Sequence, residues 1–228
     1  MAKPRIIQLQ IGLTTPVLIL NGDHSVLVDA SVQGKTDEFL KAFKQYSLEP
    51  GQIKLIVLTH VHYDHAGNLE ELRELTGAKV VVNRREAEWL RTGLVPIPRG
   101  TNWWSRLIVF LGDLLMPGYA SPRPFEADVL VDDRLDLSPW GLEAVIIHTP
   151  GHSVGSQSVL LGNEIIAGDC FFNIKGLPHF PPFADDQEQL LDTWQRIFDM
   201  EVEYIYPGHG PRFRTEHAKM ELQKLRSA

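Results

Sequence analysis

A chain of 228 residues with 43% hydrophobic content is long enough for one large domain and apolar enough to bury a substantial core. Its formal charge of -7 at pH 7 excludes a general nucleic-acid binder, whose phosphate contacts need a basic face. The lone cysteine, Cys170, rules out an intramolecular disulfide, and the start Met1-Ala2-Lys3-Pro4-Arg5 leads into no apolar leader or spanning run, so a reducing cytoplasm is the expected home.

From Pro16 to Asp29 the pattern is a hairpin: Val17-Leu18-Ile19-Leu20, a turn at Asn21-Gly22-Asp23, then Val26-Leu27-Val28, with Asp29 closing the second strand. Phe39, Leu40 and Phe43 recur at helical spacing between Thr36 and Tyr46, and Pro50-Gly51 ends that segment. Lys54 to Leu58 is a buried strand. It runs into Thr59-His60-Val61-His62-Tyr63-Asp64-His65-Ala66-Gly67, which places three imidazoles and a carboxylate within six residues. His60 and His62 alternate, so at the end of a strand they project the same way, while Asp64 and His65 follow as the chain turns toward a helix. A cluster of bases this tight is costly unless a cation compensates it, and imidazole with carboxylate suits zinc, iron or manganese. The stretch predicts the core of a metal site.

Beyond it, Asn68 is placed to cap a short helix through Leu75, a strand runs Lys79 to Val82, and Arg84 to Arg91 is helical. Residues 92–126 break this rhythm. Pro96, Pro98, Pro117, Pro122 and Pro124, the pair Trp103-Trp104 and the apolar run Leu107 to Met116 predict an insertion with its own short helix. Three readings stand for it: a hydrophobic cover on the sheet edge or against a second subunit, which would make a homodimer; a lid whose aromatic residues line an acyl or aryl pocket; or a membrane-surface attachment, the run being too short to span a bilayer. Strands return at Val129 to Val131 and Leu142 to His148, and Pro150-Gly151 then frees a loop to present His152. Gln157 to Leu161, a Gly162-Asn163 turn and Glu164 to Ala167 form a second hairpin ending at Asp169. This echo of the Val17 to Asp29 hairpin suits an internally duplicated fold. A helix from Asp186 to Met200 buries Leu190, Leu191, Trp194, Ile197 and Phe198, and the strand Tyr204 to Tyr206 delivers His209. The alternation of strands and helices is that of a layered α/β chain, with every candidate ligand just past a strand on one edge.

Other residues carry two readings. Asp29 accepts an imidazole N–H and fixes a ligand's tautomer, or simply ends its strand. His179, in Leu177-Pro178-His179-Phe180, sits on a loop after Asp169 and is a candidate substrate contact. His148 lies on a strand and reads as structural, His24 and His217 as turn and helix-surface residues, and Cys170 as a small buried hydrophobe rather than a thiolate. Ser153 and Ser156 have no triad around them.

The run His60-x-His62-x-Asp64-His65, followed in order by Pro150-Gly151-His152-Ser153, Gly168-Asp169 and Pro207-Gly208-His209-Gly210, resembles the signature of the metallo-β-lactamase superfamily over residues 60 to 209. The resemblance implies a four-layer αβ/βα sandwich of mixed sheets with a two-metal site at one edge. By position, it implies that His60, His62 and His152 hold one metal, that Asp64, His65 and His209 hold a second, and that Asp169 bridges them. Two Zn2+ per chain are the implied cofactors, with iron or manganese as alternatives, and a small molecule is the expected partner, with no nucleic acid and no stable membrane insertion. The implied reaction is attack by a metal-bridging hydroxide on a small ester, thioester or lactone, with Asp64 and Asp169 as catalytic carboxylates and Asp64 orienting the nucleophile or passing on its proton.

Departures from particular branches narrow this expectation. The acyl-homoserine lactonases place a tyrosine three residues after the bridging aspartate, where this chain has Phe172, a further candidate substrate contact. The glyoxalase II enzymes share the ligand set and add a C-terminal glutathione-binding domain, whereas this chain ends at residue 228, soon after His209. Subclass B3 β-lactamases lack the bridging aspartate, and flavodiiron oxidoreductases carry glutamate in place of His62. The alternative function is a mononuclear iron persulfide dioxygenase, which resembles this fold and would hold iron through His60, His152 and Asp169 alone. A metal-bound scaffold without catalysis is the third reading.

Overall fold

The structure, a computed structural model, describes residues 4–115 and 121–227, so Met116 and Pro117 of the apolar insertion, and the first three residues, lie outside the described residues. The first half contains β1 (Arg5–Gln8), β2 (Val17–Leu20), β3 (Ser25–Val28), α1 (Thr36–Gln45), β4 (Ile53–Val57), α2 (Tyr63–Ala66), α3 (Leu69–Thr76), β5 (Lys79–Asn83), α4 (Ala87–Thr92), α5 (Trp103–Leu115) and β6 (Val129–Val131). The second contains β7 (Arg134–Asp136), β8 (Val145–His148), β9 (Gln157–Leu161), β10 (Glu164–Phe172), α6 (Gln187–Asp199), β11 (Tyr204–His209), β12 (Phe213–Arg214) and α7 (Thr215–Arg226).

Strand residues alternate between two faces, and in these strands both faces are apolar, so each sheet must be covered on both sides. In β2 to β4, Val17, Ile19, Val26, Val28, Leu55 and Val57 point to one side, where they meet Ile146, Val159 and Ile166 of the other sheet. Leu18, Leu27 and Ile56 point away, onto Phe39 and Phe43 of α1, Leu69 and Leu72 of α3 and Leu90 of α4. The second sheet turns Ile147, Ile165 and Ile205 outward onto Leu190, Trp194 and Ile197 of α6 and Ala218 and Leu222 of α7. The result is the expected four-layer sandwich, with sheets ordered β1-β2-β3-β4-β5-β6 and β12-β11-β10-β9-β8-β7.

The hairpin echo is a topological repeat. The antiparallel pair β2–β3 leads through α1 to β4, parallel to β3, and the antiparallel pair β9–β10 leads through α6 to β11, parallel to β10. Asp29 and Asp169 occupy corresponding ends of the two units.

Three local expectations need correction. Asp169 lies inside β10 rather than beyond it, because the strand continues to Phe172. Its register against β11 slips on both sides of Gly168, which has φ +51° and leaves no room for a Cβ against the Thr59 side chain. This bulge re-aims Asp169 while the strand goes on. Asn68 stands at the cap position of α3, but its side chain makes no cap bond there; Oδ1 accepts from the Gly34 and Lys35 amides at 3.1 Å, tying α3 to the turn that opens α1. Leu191 is half-buried on the margin of α6 instead of in its apolar stripe. The short strands β1, β7 and β12 have too few residues for a period to show.

The insertion is anchored at its base. Thr101 donates from its amide and its hydroxyl to the carbonyls of Pro182 and Pro181 at 2.9 Å, the Ala184 amide donates to Arg99, and Gly100 bridges to Phe183. Asn102 and Ser105 cap α5 reciprocally: Asn102 Oδ1 accepts from the Ser105 amide at 3.0 Å and Ser105 Oγ from the Asn102 amide at 3.1 Å. Among the described residues no helix is long and apolar enough to cross a membrane.

Trp194 links the outer layer to the site edge. Fully buried, it stacks on Phe171 with 4.4 Å between ring centroids and donates from Nε1 to the carbonyl of Cys170, next to Asp169, at 2.7 Å. The Trp194→Ala variant is expected to lose about 3–5 kcal/mol of stability, the usual cost of emptying a large aromatic site, measured as a fall in urea midpoint at unchanged slope.

Candidate metal centre

Seven side chains converge where β4, β10 and β11 end. The segment after β4 is extended through His60 and Val61 to His62, whose φ of -61° and ψ of 152° start α2, and α2 carries Asp64 and His65. His152 comes from the turn between β8 and β9, Asp169 from the β10 bulge, and His209 from the last residue of β11. Three sets have donor atoms within 4.8 Å of one another: His60, His62 and His152; His60, His65 and Asp169; and Asp64, His65 and His209. Asp169 lies between the groups, with Oδ1 3.2 Å from His65 Nε2 and Oδ2 3.4 Å from His209 Nε2 and 3.8 Å from His152 Nε2. Asp64 Oδ2 is 3.3 Å from His209 Nε2. All are buried except Asp64, which is half-buried. Gly208 makes the close approach possible, since a Cβ there would strike Asp169 Oδ1 and the His65 ring.

The histidines are held by their far nitrogens. His152 Nδ1 lies 2.9 Å from the Phe183 carbonyl and His209 Nδ1 2.9 Å from the Leu13 carbonyl. A carbonyl only accepts, so both rings donate from Nδ1 and turn Nε2 toward the cluster. Asp29 does the same for His65, accepting from Nδ1 at 2.9 Å while its carboxylate also takes the Thr59 amide at 2.7 Å and the Thr59 hydroxyl. With its proton committed to Asp29, Thr59 Oγ1 accepts from His60 Nδ1 at 3.1 Å. Asp29 thus has the tautomer-fixing role, and it holds that position at φ +66°. Inside the cluster His62 Nδ1 and His152 Nε2 lie 3.0 Å apart, within hydrogen-bond distance, while His60 Nε2, His65 Nε2 and Asp169 Oδ1 are buried without a hydrogen-bond partner. Orphaned acceptors converging from several directions are costly alone and are what a cation satisfies. The donor set therefore fits divalent metal ions.

Electrostatics divide the cluster. Burial holds His60 well below the ordinary imidazole range, His62 at about 3 and His152 below its usual value, so that group stays neutral. Burial also opposes charge on His65 and His209, but Asp169, Asp29 and Asp64 outweigh it at His65, which titrates well above the usual range. Asp169 and Asp64 bring His209 to about 10. Burial raises the two carboxyls in turn, yet His209 and His65 hold Asp169 well below its ordinary value, and His65 and His209 hold Asp64 below its own.

A family model described as the metallo-beta-lactamase superfamily matches residues 11–209. The chain belongs to the metallo-beta-lactamase superfamily. Among its relatives, the probable metallo-hydrolase MJ0888 of Methanocaldococcus jannaschii is 26% identical over 92% of this chain and 95% of that protein. The metallo-beta-lactamase fold-containing protein ST1585 of Sulfurisphaera tokodaii is 27% identical over 91% and 78%. The solved structure of the BLEG-1 B3 metallo-beta-lactamase superposes with a TM-score of 0.71 at 22% identity, covering 95% of this chain and 97% of that one, a likeness that speaks for the fold alone.

Within this superfamily fold the donor cluster forms one end of a cavity of about 460 Å3. Phe172 lines it, stacked on His209 with 4.7 Å between centroids, as the position after the bulge allows. The insertion supplies an aliphatic wall of Val95, Pro96, Ile97, Pro98, Ile108 and Val109. The aromatic lid of the sequence reading is thus corrected: Trp103 is exposed, Trp104 packs edge-on against Phe183, and the aromatic lining comes from Tyr63, Phe172 and Phe183. The cover reading also holds in part, since Val95 and Phe125 pack on the outer core. His179 is a second correction. It lies outside the cavity lining, stacks on Phe213 at 4.1 Å and donates from Nδ1 to the Phe172 carbonyl at 2.8 Å, so it supports Phe172 from behind. His148 is structural, its Nε2 bonded to the Val154 carbonyl at 3.0 Å.

Sequence reasoning missed Glu86. Fully buried, it accepts from the Val61 amide at 2.8 Å, the Gly155 amide at 3.0 Å and the Ser153 hydroxyl, strapping the His60–His62 segment to the His152 turn. Burial raises its carboxyl above the ordinary range against those three donors. The only signal available was an acidic residue at the start of a helix following a strand on the site edge.

Glu86→Gln, with one acceptor oxygen for three donors, is expected to weaken metal affinity roughly tenfold to a hundredfold, measured by chelator competition on folded protein. A second expectation follows from the raised values at His65 and His209: both rings carry protons near neutral pH, and a cation needs them bare. Metal uptake at pH 7 should therefore release protons and weaken as pH falls, read by calorimetry in buffers of different ionisation enthalpy.

Proposed function

We propose that this protein is a metal-dependent hydrolase that uses two divalent cations, zinc first among them, on a small ester, thioester or lactone. The observation that carries this reading is the convergence of ring nitrogens and carboxylate oxygens, four of the five rings held from behind, at one end of a largely apolar cavity. Relatives named probable metallo-hydrolases support it. His60, His62 and His152 would hold one ion and Asp64, His65 and His209 the other, with Asp169 shared between them. Cations bound there supply an activated water and polarise a carbonyl.

The chain's own residues do the rest. Asp64 is the half-buried carboxylate at the cavity edge, so it can take a proton from the nucleophile side and deliver it to a leaving group. Phe172 and Phe183 exclude water from the flank of the reacting carbonyl. Covalent routes have no support: burial pushes the Cys170 thiol to about 12 and its Sγ faces the Thr149 carbonyl, while the Ser153 hydroxyl donates to Glu86.

The test is metal content per chain in protein purified without added metal or chelator, with hydrolysis assays on ester, thioester and lactone panels. Two metals per chain with hydrolysis is the expected result, and Asp169→Ala should reduce turnover to background with loss of metal. One iron per chain with oxygen uptake on a persulfide would replace this reading with the dioxygenase, and wild-type turnover and full occupancy in Asp169→Ala would refute the shared-ligand role.

A further inference from the structure

Resting on the hydrolase reading, we infer that the cavity selects an uncharged substrate whose acyl or aryl group lies against the insertion, and rejects thioesters of large anionic carriers. The cavity has two chemically distinct ends. At one stand the donor side chains, including Asp64 and Asp169, with Phe172 stacked on His209; at the other stand Val95, Pro98, Ile108 and Val109 from the insertion. A reacting carbonyl must sit at the first end, which leaves the second for whatever the carbonyl carries.

Charge decides what that is. Among the described residues the lining contains no lysine or arginine, and residues 113–120 carry none in sequence. The arginines beside the lining, Arg99 and Arg106, are exposed, and Arg106 Nε is turned back onto the Gly100 carbonyl at 3.3 Å. A phosphate or carboxylate at the insertion end of the cavity would lose its water and find no lysine or arginine to pair with there. Carriers held through phosphates or peptide carboxylates are recognised by arginine forks or lysines, and this wall offers neither. A volume of about 460 Å3 instead lies within the ~300–1,000 Å3 of small-molecule sites.

The wall also sets the specificity. α5 turns Ile108, Val109 and Gly112 to the cavity, so these positions meet the substrate's tail. Each methylene buried there should raise kcat/KM about fourfold.

The experiment uses the metal-loaded full chain and p-nitrophenyl esters from acetate through butyrate and hexanoate to octanoate, beside the mono-ester of hexanedioic acid, which matches hexanoate in length but ends in a carboxylate. The expected result is a rise of about 250-fold in kcat/KM from acetate to hexanoate, about fourfold for each of four methylenes, and a fall of at least about tenfold from hexanoate to the acid-ended ester. Val109→Phe, which fills the wall, should lower the hexanoate-to-acetate ratio at least about tenfold. In parallel, 2-octanone, an uncharged mimic that cannot be hydrolysed, should bind the same protein by calorimetry and bind Val109→Phe more weakly. A flat chain-length profile, equal or better turnover of the acid-ended ester, or 2-octanone binding that Val109→Phe leaves untouched would overturn the inference. Binding of 2-octanone lost in Val109→Phe, with no ester hydrolysed, would uphold the apolar site while sinking the hydrolase reading.

Discussion

Gathering five imidazoles and two carboxylates in one buried patch demands that the rings be told which nitrogen to protonate. The protein does this for four of the five from outside the cluster, with two backbone carbonyls, one carboxylate and one hydroxyl that the carboxylate itself orients. Asp29 is the hub: it sets His65 directly and His60 through Thr59. The remaining bare atoms point at one another, and the folded chain carries two protonated histidines among three carboxylates until something better charged replaces those protons. The scaffold thus bears an electrostatic debt that only ligand chemistry can settle.

The layered fold delivers this arrangement because its parallel strands end together. The crossovers through α1 and α6 return the chain so that β3 and β4, like β10 and β11, finish on the same edge. Apolar faces on both sides of each sheet leave little freedom of register, since a slip of one residue would exchange the inner and outer cores. The slip at Gly168 falls where Asp169 turns toward the imidazole cluster.

Much of this was legible in the sequence, for identifiable reasons. The hairpins, the helix carrying Phe39 and Phe43 and the helix carrying Trp194 have periods long enough to read, and the ligand residues stand in dense motifs beside strand ends. The short strands β1, β7 and β12 have no period. Glu86 was invisible because a buried carboxylate looks like any helix-surface glutamate until its three donors, two of them backbone amides, arrive from elsewhere in the chain. His179 misled because loop position alone does not say which way a ring faces; its stacking on Phe213 is a tertiary fact. The insertion showed its apolar content but hid which residues would look inward, since Trp103 and Trp104 were the loudest signal and the cavity is walled by quieter isoleucine, valine and proline.

The anchoring of the insertion reaches further than its own stability. Gly100 and Thr101 are tied to the Pro181–Phe183 strip, and the Phe183 carbonyl at the end of that strip is the atom that orients His152. The residues that shape the tail of a bound molecule and those that aim a ligand imidazole therefore share one length of backbone. Exchanging 92–126 for the corresponding loop of a relative is not a modular graft: the transplant would have to rebuild the seat of His152 along with the new wall, so the shape of the cavity and the aim of that imidazole cannot change independently.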